Sequence, residues 1–271
     1  MRVFGLIGYP LEYTLSPQIH NYVFRRLNID ADYVPLRVTS KRLPHFIEFA
    51  RDSLNGFNVT IPHKVAVARL IDELDDDTRA IGSVNTVVNN EGRLIGHNTD
   101  YLAVKDSLLA RGYGGEEALI IGAGGAARAV VLALSKLGCR SIKVLNRTRE
   151  RAVDLCKLAD TLGVNCSVTE LGSDYGKPHL LVNATPISGE EAWMLNLGKL
   201  EVSMILDMAY GPSDTELVRK GRELGLTVID GIEVLVRQAI EADKLWIGGF
   251  SEPGVEEVVK FIRGITKSSG E

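Results

Sequence analysis

The feature that most constrains the fold is a glycine turn framed by two apolar segments. The run Ala118-Leu119-Ile120-Ile121 leads into Gly122-Ala123-Gly124-Gly125-Ala126-Ala127, and a long apolar stretch follows. The form is G-x-G-x-x-A in a strand–turn–helix frame. The first glycine permits the tight turn. The second lets a pyrophosphate approach the backbone, and the small third position lets the helix pack closely on the strand. The helix N-terminus adds free N–H groups and the positive end of a dipole. Taken alone, the pattern also describes a turn that binds nothing. In this frame it marks Gly122, Ala123, Gly124, Gly125 and Ala126 as a dinucleotide-binding turn.

Around the turn, apolar strands and amphipathic helices alternate. Strands are predicted near residues 3–7, 33–38, 56–61, 83–90 and 94–97, the last two pairing as a hairpin about Glu91-Gly92. Helices are predicted at 17–27, with Ser16 as N-cap, at 43–51, from Pro62 to about Leu74, and at 101–111. The rhythm restarts after the loop Gly112-Tyr113-Gly114-Gly115, and helices over 232–246 and 255–265 close the chain. The expected class is α/β with mostly parallel sheets and helices on their faces.

A formal net charge of −4 over 271 residues argues against nucleic-acid or anionic-membrane partners. No stretch approaches the roughly 20 apolar residues of a membrane helix, and the apolar N-terminal run is too short for a secretory signal. Cys139, Cys156 and Cys166 form an odd, sparse set with no CxxC, which predicts reduced thiols, a cytoplasmic setting and no metal role.

Cofactor choice is read at the next strand end. A carboxylate there grips the ribose 2′-hydroxyl of NAD. This chain has Val144-Leu145-Asn146-Arg147-Thr148, with Arg151 close behind and no carboxylate before Glu150. Asn146 and Thr148 can hydrogen-bond, and Arg147 and Arg151 can pair with a 2′-phosphate, so NADP is expected. The bland alternative is a solvated helix start.

Three polar clusters follow apolar strands in the first hundred residues. They are Tyr13-Thr14-Leu15-Ser16-Pro17, Asn58-Val59-Thr60-Ile61-Pro62-His63-Lys64, and Val84-Asn85-Thr86 with Asn98-Thr99-Asp100. Hydroxyls, carboxamides, one lysine and one aspartate suit a small polyhydroxylated ligand, and no His/Cys cluster suggests a metal. With the glycine turn, Asn146-Arg147-Thr148, Asn183-Ala184-Thr185, Asp207 to Tyr210 and Leu235-Val236-Arg237-Gln238-Ala239, these motifs resemble the shikimate/quinate dehydrogenase family from Phe4 to Trp246.

The resemblance implies NADPH-dependent reduction of 3-dehydroshikimate to shikimate in aromatic amino-acid biosynthesis. It implies Lys64 and Asp100 as the catalytic pair. It assigns Thr14, Ser16, Asn58, Thr60, Asn85, Tyr210 and Gln238 to the substrate, and Thr185, Met208 and Gly231 to the cofactor. Two domains are implied: a substrate domain of residues 1–101 and 232–271, and a Rossmann-type NADP domain of 102–231, working as a monomer or homodimer. Thr14 replaces the usual serine, and Pro186 removes an N–H donor after Thr185. His20, His63, Trp193 and Trp246 are expected in packing roles. The alternatives are a quinate or quinate/shikimate dehydrogenase, a paralogue with another substrate, and a non-catalytic NADP-binding sensor.

Overall fold

The computed structural model describes residues 1–187 and 200–268; Trp193 lies outside them. The chain divides into two compact units, Met1–Leu102 with Leu235–Ile265, and Ala103–Val234 together with the residues from Thr266.

The first unit is built from β1 (Arg2–Gly8), α1 (Ser16–Arg26), β2 (Ala31–Arg37), α2 (Leu43–Ser53), β3 (Gly56–Val59), α3 (Lys64–Val67), β4 (Glu73–Leu74), α4 (Asp76–Ile81), β5 (Thr86–Asn90) and β6 (Arg93–His97). Its six-stranded sheet has the order β2-β1-β3-β5-β6-β4. β1 pairs in parallel with β2 and β3, and β4 with β6, whereas β5 runs antiparallel to both neighbours. Reversal of β5 decides where the site forms. It brings the start of β5 to the sheet edge where β1, β3 and β6 end, with Asn58 opposite Thr86 and Thr86 opposite His97. One face is packed with Ile7, Ile47, Phe57, Val59, Val84, Val87 and Leu94, all nearly free of solvent.

Two details differ from the sequence expectations. The helix expected from Pro62 to Leu74 is a single turn, Lys64–Val67. The Lys64 carbonyl accepts the Val84 N–H (2.9 Å), so the bond that would continue the helix goes to a neighbouring segment. A one-turn helix carries little dipole, so its N-terminal end does little to disfavour a cation at Lys64. Ser16 opens α1 rather than capping it; Leu15 holds the cap position without a side-chain bond.

α5 (Thr99–Leu109) continues the chain from the first unit into the second. The second unit contains β7 (Ala118–Ile121), α6 (Gly125–Lys136), β8 (Ser141–Leu145), α7 (Arg149–Thr161), β9 (Asn165–Thr169), β10 (Leu180–Asn183), β11 (Met204–Asp207), α8 (Glu216–Glu223) and β12 (Thr227–Ile229). Its sheet is parallel throughout, in the order β12-β11-β10-β7-β8-β9. Relabelled from β7, this is the doubly wound 6-5-4-1-2-3 order, with its switch point between β7 and β10. Ala118–Ile121 and Leu180–Val182 read as apolar runs, as a sheet covered on two faces requires. α9 (Gly231–Ile247) then returns the chain to the first unit, and α10 (Val255–Ser268) ends the described chain.

The thiol expectation is corrected for two of the three cysteines. Cys156 in α7 and Cys166 in β9 form a disulfide across a sequence separation of 10, their Cα atoms 5.0 Å apart. The odd count conceals it, because pairing depends on α7 lying against β9. Cys139 is a buried free thiol whose pKa burial pushes up, which leaves it unreactive. In the chain-entropy account a loop of this length is worth about 3 kcal/mol. Reduction is therefore expected to lower the thermal midpoint by roughly 10 °C; equal midpoints with and without dithiothreitol would show that the bridge contributes nothing. Among the described residues no helix is long and apolar enough to cross a membrane.

Candidate active site

At the sheet edge of the first unit, β-strand ends and the loops after them gather polar side chains that apolar neighbours keep from water. Lys64 Nζ lies 2.5 Å from Asp100 Oδ2, with side chains only 14% and 7% exposed. Asn85 Nδ2 faces three acceptors, Asp100 Oδ1 (2.9 Å), Thr99 Oγ1 (2.9 Å) and Gln238 Oε1 (3.2 Å). Its Oδ1 accepts from the Thr99 N–H at 2.7 Å and from the Thr86 hydroxyl at 3.1 Å. The Asn85 carboxamide thus braces Asp100 on the side away from the lysine.

Asn58 is similarly fixed. Tyr33 Oη donates to its Oδ1 (2.7 Å), while its Nδ2 donates to Asn85 O and Thr86 Oγ1, both at 3.0 Å. With both amide hydrogens committed, Asn58 retains only a lone pair on Oδ1 for a ligand hydroxyl. Ser16 is buried, its N–H bonds Thr14 Oγ1 (3.2 Å), and its hydroxyl makes no hydrogen bond to the described residues. Thr60 follows β3 at the same edge, half-buried. Gln238 comes from α9, far along the chain. It is 8% exposed, and Nε2 donates to Leu235 O (2.8 Å), so the side chain is buried rather than displayed to solvent.

Sequence reasoning gives His20 only a packing role, and the structure gives it a specific one. His20 Nδ1 meets Asp243 Oδ1 at 2.6 Å with both side chains wholly buried. The imidazole stacks on Tyr33 with ring centroids 4.0 Å apart. Burial pushes the Asp243 carboxyl up, opposed by the histidine. Behind this pair Trp246 stacks on Phe4 and donates to Val87 O (3.0 Å). His63 is buried, with Nε2 2.5 Å from Val38 O, a structural contact that leaves the Lys64 ammonium to Asp100. No sequence signal marks the His20–Asp243 pair, which spans 223 residues.

In the second unit the glycine turn begins where β7 ends. Gly122 has φ +105°, and a Cβ there would lie 2.8 Å from the Thr185 methyl and 3.1 Å from Ala184 O. Its glycine character is explained by the protein itself. Gly124 is different: it has φ −96°, and a Cβ would meet nothing within 4 Å. That open side at the start of α6 is where a phosphate can reach backbone N–H groups. Register places Ile121, Leu145, Asn183 and Asp207 side by side, so Gly122, Asn146, Thr185 and Met208 emerge from one sheet edge.

Asn146 Nδ2 donates to Thr148 O (2.7 Å) and so shapes the loop after β8. Arg149 is engaged by Glu170 at 3.0 Å. Arg147 and Arg151 are exposed and make no ion pair among the described residues. Two uncommitted guanidinium groups at this strand end, with no carboxylate in the loop, match a 2′-phosphate rather than a bare ribose. Gly231 packs so closely on the Ala209 carbonyl that a Cβ would collide with it, which keeps the Met208–Tyr210 segment against the start of α9. Among the described residues no group of three or more His, Cys, Asp or Glu is placed to hold a metal ion.

Two family models match the chain: the shikimate dehydrogenase substrate binding domain over residues 6–87, and shikimate / quinate 5-dehydrogenase over residues 107–216. A shikimate dehydrogenase (NADP+) of Caldivirga maquilingensis is 70% identical, covering 99% of this chain and 100% of its own. The chain belongs to the shikimate dehydrogenase family. Among solved structures, a shikimate dehydrogenase in complex with NADP+ is 32% identical with TM-score 0.88, covering 98% of this chain and 96% of its own. Another from Thermus thermophilus, in complex with NADP(H) and shikimate, is 32% identical with TM-score 0.84 and covers 97% and 100%.

Proposed function

We propose that this chain catalyses the reversible NADPH-dependent reduction of 3-dehydroshikimate to shikimate, a cytoplasmic step of aromatic amino-acid biosynthesis. The observation that carries the reading is the Lys64–Asp100 contact of 2.5 Å inside a shell of hydroxyls and carboxamides at one sheet edge. The name of the Caldivirga relative and the substrate and cofactor named for the Thermus structure support it.

NADPH, when bound, supplies the hydride. The open side of Gly124 and the uncommitted Arg147 and Arg151 fit its pyrophosphate and 2′-phosphate. As hydride reaches a ketone carbon, negative charge builds on the oxygen. Lys64 stabilises that charge and delivers the proton from Nζ, and in the oxidative direction it accepts one. Asp100, pinned by Asn85, keeps the ammonium aimed and balances its charge. Ser16 and Thr60 offer uncommitted hydroxyls, and Asn58 a lone pair, to the substrate's hydroxyl groups. An analogue missing one hydroxyl leaves a buried partner unpaired, which is the basis of discrimination. Thr14, Asn85, Gln238 and Tyr210 complete the substrate assignment, and Asn146, Thr148, Thr185, Met208 and Gly231 that of the cofactor.

The test is initial-rate turnover of shikimate and quinate, each with NADP+ and NAD+. Shikimate with NADP+ is expected to be fastest. Faster turnover of quinate with NAD+ overturns the substrate and cofactor choice, and no turnover of any pair favours a non-catalytic NADP-binding role.

A further inference from the structure

A buried polar hub in the second unit has no part in the chemistry described above. Asp207, at the end of β11, is completely buried. Its Oδ1 accepts from Asn183 Nδ2 (2.8 Å) and from the Ala209 N–H (2.9 Å), and its Oδ2 accepts from the Thr215 hydroxyl (2.5 Å). Burial raises its pKa to about 6, against the pull of those three donors. Asn183, at the end of β10, is equally buried and equally committed. Its Nδ2 also donates to Ile187 O (3.1 Å), while its Oδ1 accepts from the Thr185 N–H (3.0 Å) and the Thr185 hydroxyl (2.7 Å).

The Thr185 methyl in turn is the atom that a Cβ on Gly122 would meet. One carboxylate therefore ties together three loops: the glycine turn through Thr185, the 184–187 loop through Asn183, and the 208–215 loop through Ala209 and Thr215. Desolvating a carboxylate is costly, and a core needing only volume would be served by an apolar residue. The Asp207 oxygens replace the backbone pairing that these strands lose where they end.

We propose that Asp207 is a positioning residue that sets the loops following β10 and β11 for the nicotinamide half of the cofactor, while Arg147 and Arg151 hold the adenosine end independently. The proposal rests on the NADP-binding reading of this unit. Asp207→Asn keeps the shape and one acceptor oxygen but removes the acceptor of the Thr215 hydroxyl. Thr215→Val removes that hydroxyl, whereas Thr215→Ser retains it.

Each variant is assayed for kcat, for the primary isotope effect with NADPH deuterated at the transferred position, and for affinity for 2′,5′-ADP, which carries only the adenosine end. Asp207→Asn is expected to lower kcat at least tenfold and to enlarge the isotope effect, with 2′,5′-ADP affinity within twofold of wild type. Thr215→Val follows in the same direction and Thr215→Ser behaves as wild type. An unchanged kcat in Asp207→Asn, a fall of 2′,5′-ADP affinity in step with kcat, or equal behaviour of Thr215→Val and Thr215→Ser overturns the assignment. If the wild-type protein itself fails to bind 2′,5′-ADP, the underlying NADP reading fails instead.

Discussion

Lys64→Ala is expected to lower kcat by about 10²–10⁴-fold, the range that a positioned proton donor contributes. Nζ is held 2.5 Å from Asp100 Oδ2, and the second Asp100 oxygen is bound by Asn85, so removing the ammonium leaves a well-fixed carboxylate with no proton to give. It also leaves a mostly buried charge short of its partner, so some loss of stability accompanies the loss of rate. NADPH affinity stays near the wild-type value, because the glycine turn and the arginines belong to the other compact unit. Lys64→Arg keeps the charge but holds its proton too tightly to deliver it, so kcat is expected to stay low there too. Initial rates at saturating substrate, paired with a fluorescence titration of NADPH, read the two effects apart. Undiminished kcat in Lys64→Ala ends the proton-transfer assignment.

Gly124→Val is expected to weaken NADPH binding at least 100-fold while leaving the folded protein as stable as before. At φ −96° any residue is comfortable, and a Cβ added there meets no protein atom within 4 Å. Its only competitor is the phosphate that needs backbone contact there. Gly122→Val makes the contrast. With φ +105° and the Thr185 methyl 2.8 Å from any Cβ, it perturbs the fold and loses stability as well as affinity. A calorimetric midpoint with an NADPH titration on each variant distinguishes them. Wild-type NADPH affinity in Gly124→Val would place the pyrophosphate elsewhere.

How far the residues can be read from sequence depends on how local each signal is. The glycine turn is a contiguous motif between two apolar runs, and with the strand–helix alternation around it the α/β class of the second unit is legible, though its strand order is not. Lys64 and Asp100, 36 residues apart, are paired only through family resemblance, since no spacing rule joins the start of α3 to the start of α5. The helix expected after Pro62 fails because a local pattern competes with a distant N–H, that of Val84. Tyr33, which orients Asn58, looks in the sequence like one more strand residue. Asp207 and Asn183 stand inside recognisable motifs with no role attached, because their importance lies in each other's company across adjacent strands. The Cys156–Cys166 bridge is hidden in the same way, by a packing of α7 on β9 that a count of cysteines does not report.

The out-and-back path of the chain has a consequence for how the molecule is made. Gln238, Asp243 and Trp246 reach partners 153, 223 and 159 residues earlier, at Asn85, His20 and Val87. On the ribosome the second unit has all but its last few residues before α9 has fully emerged, so it is able to collapse first, while the first sheet waits with its floor unlaid. Such high contact order slows folding. A nascent chain stalled once residue 230 has cleared the exit tunnel should already hold a nucleotide yet have no fixed place for the acid it reduces.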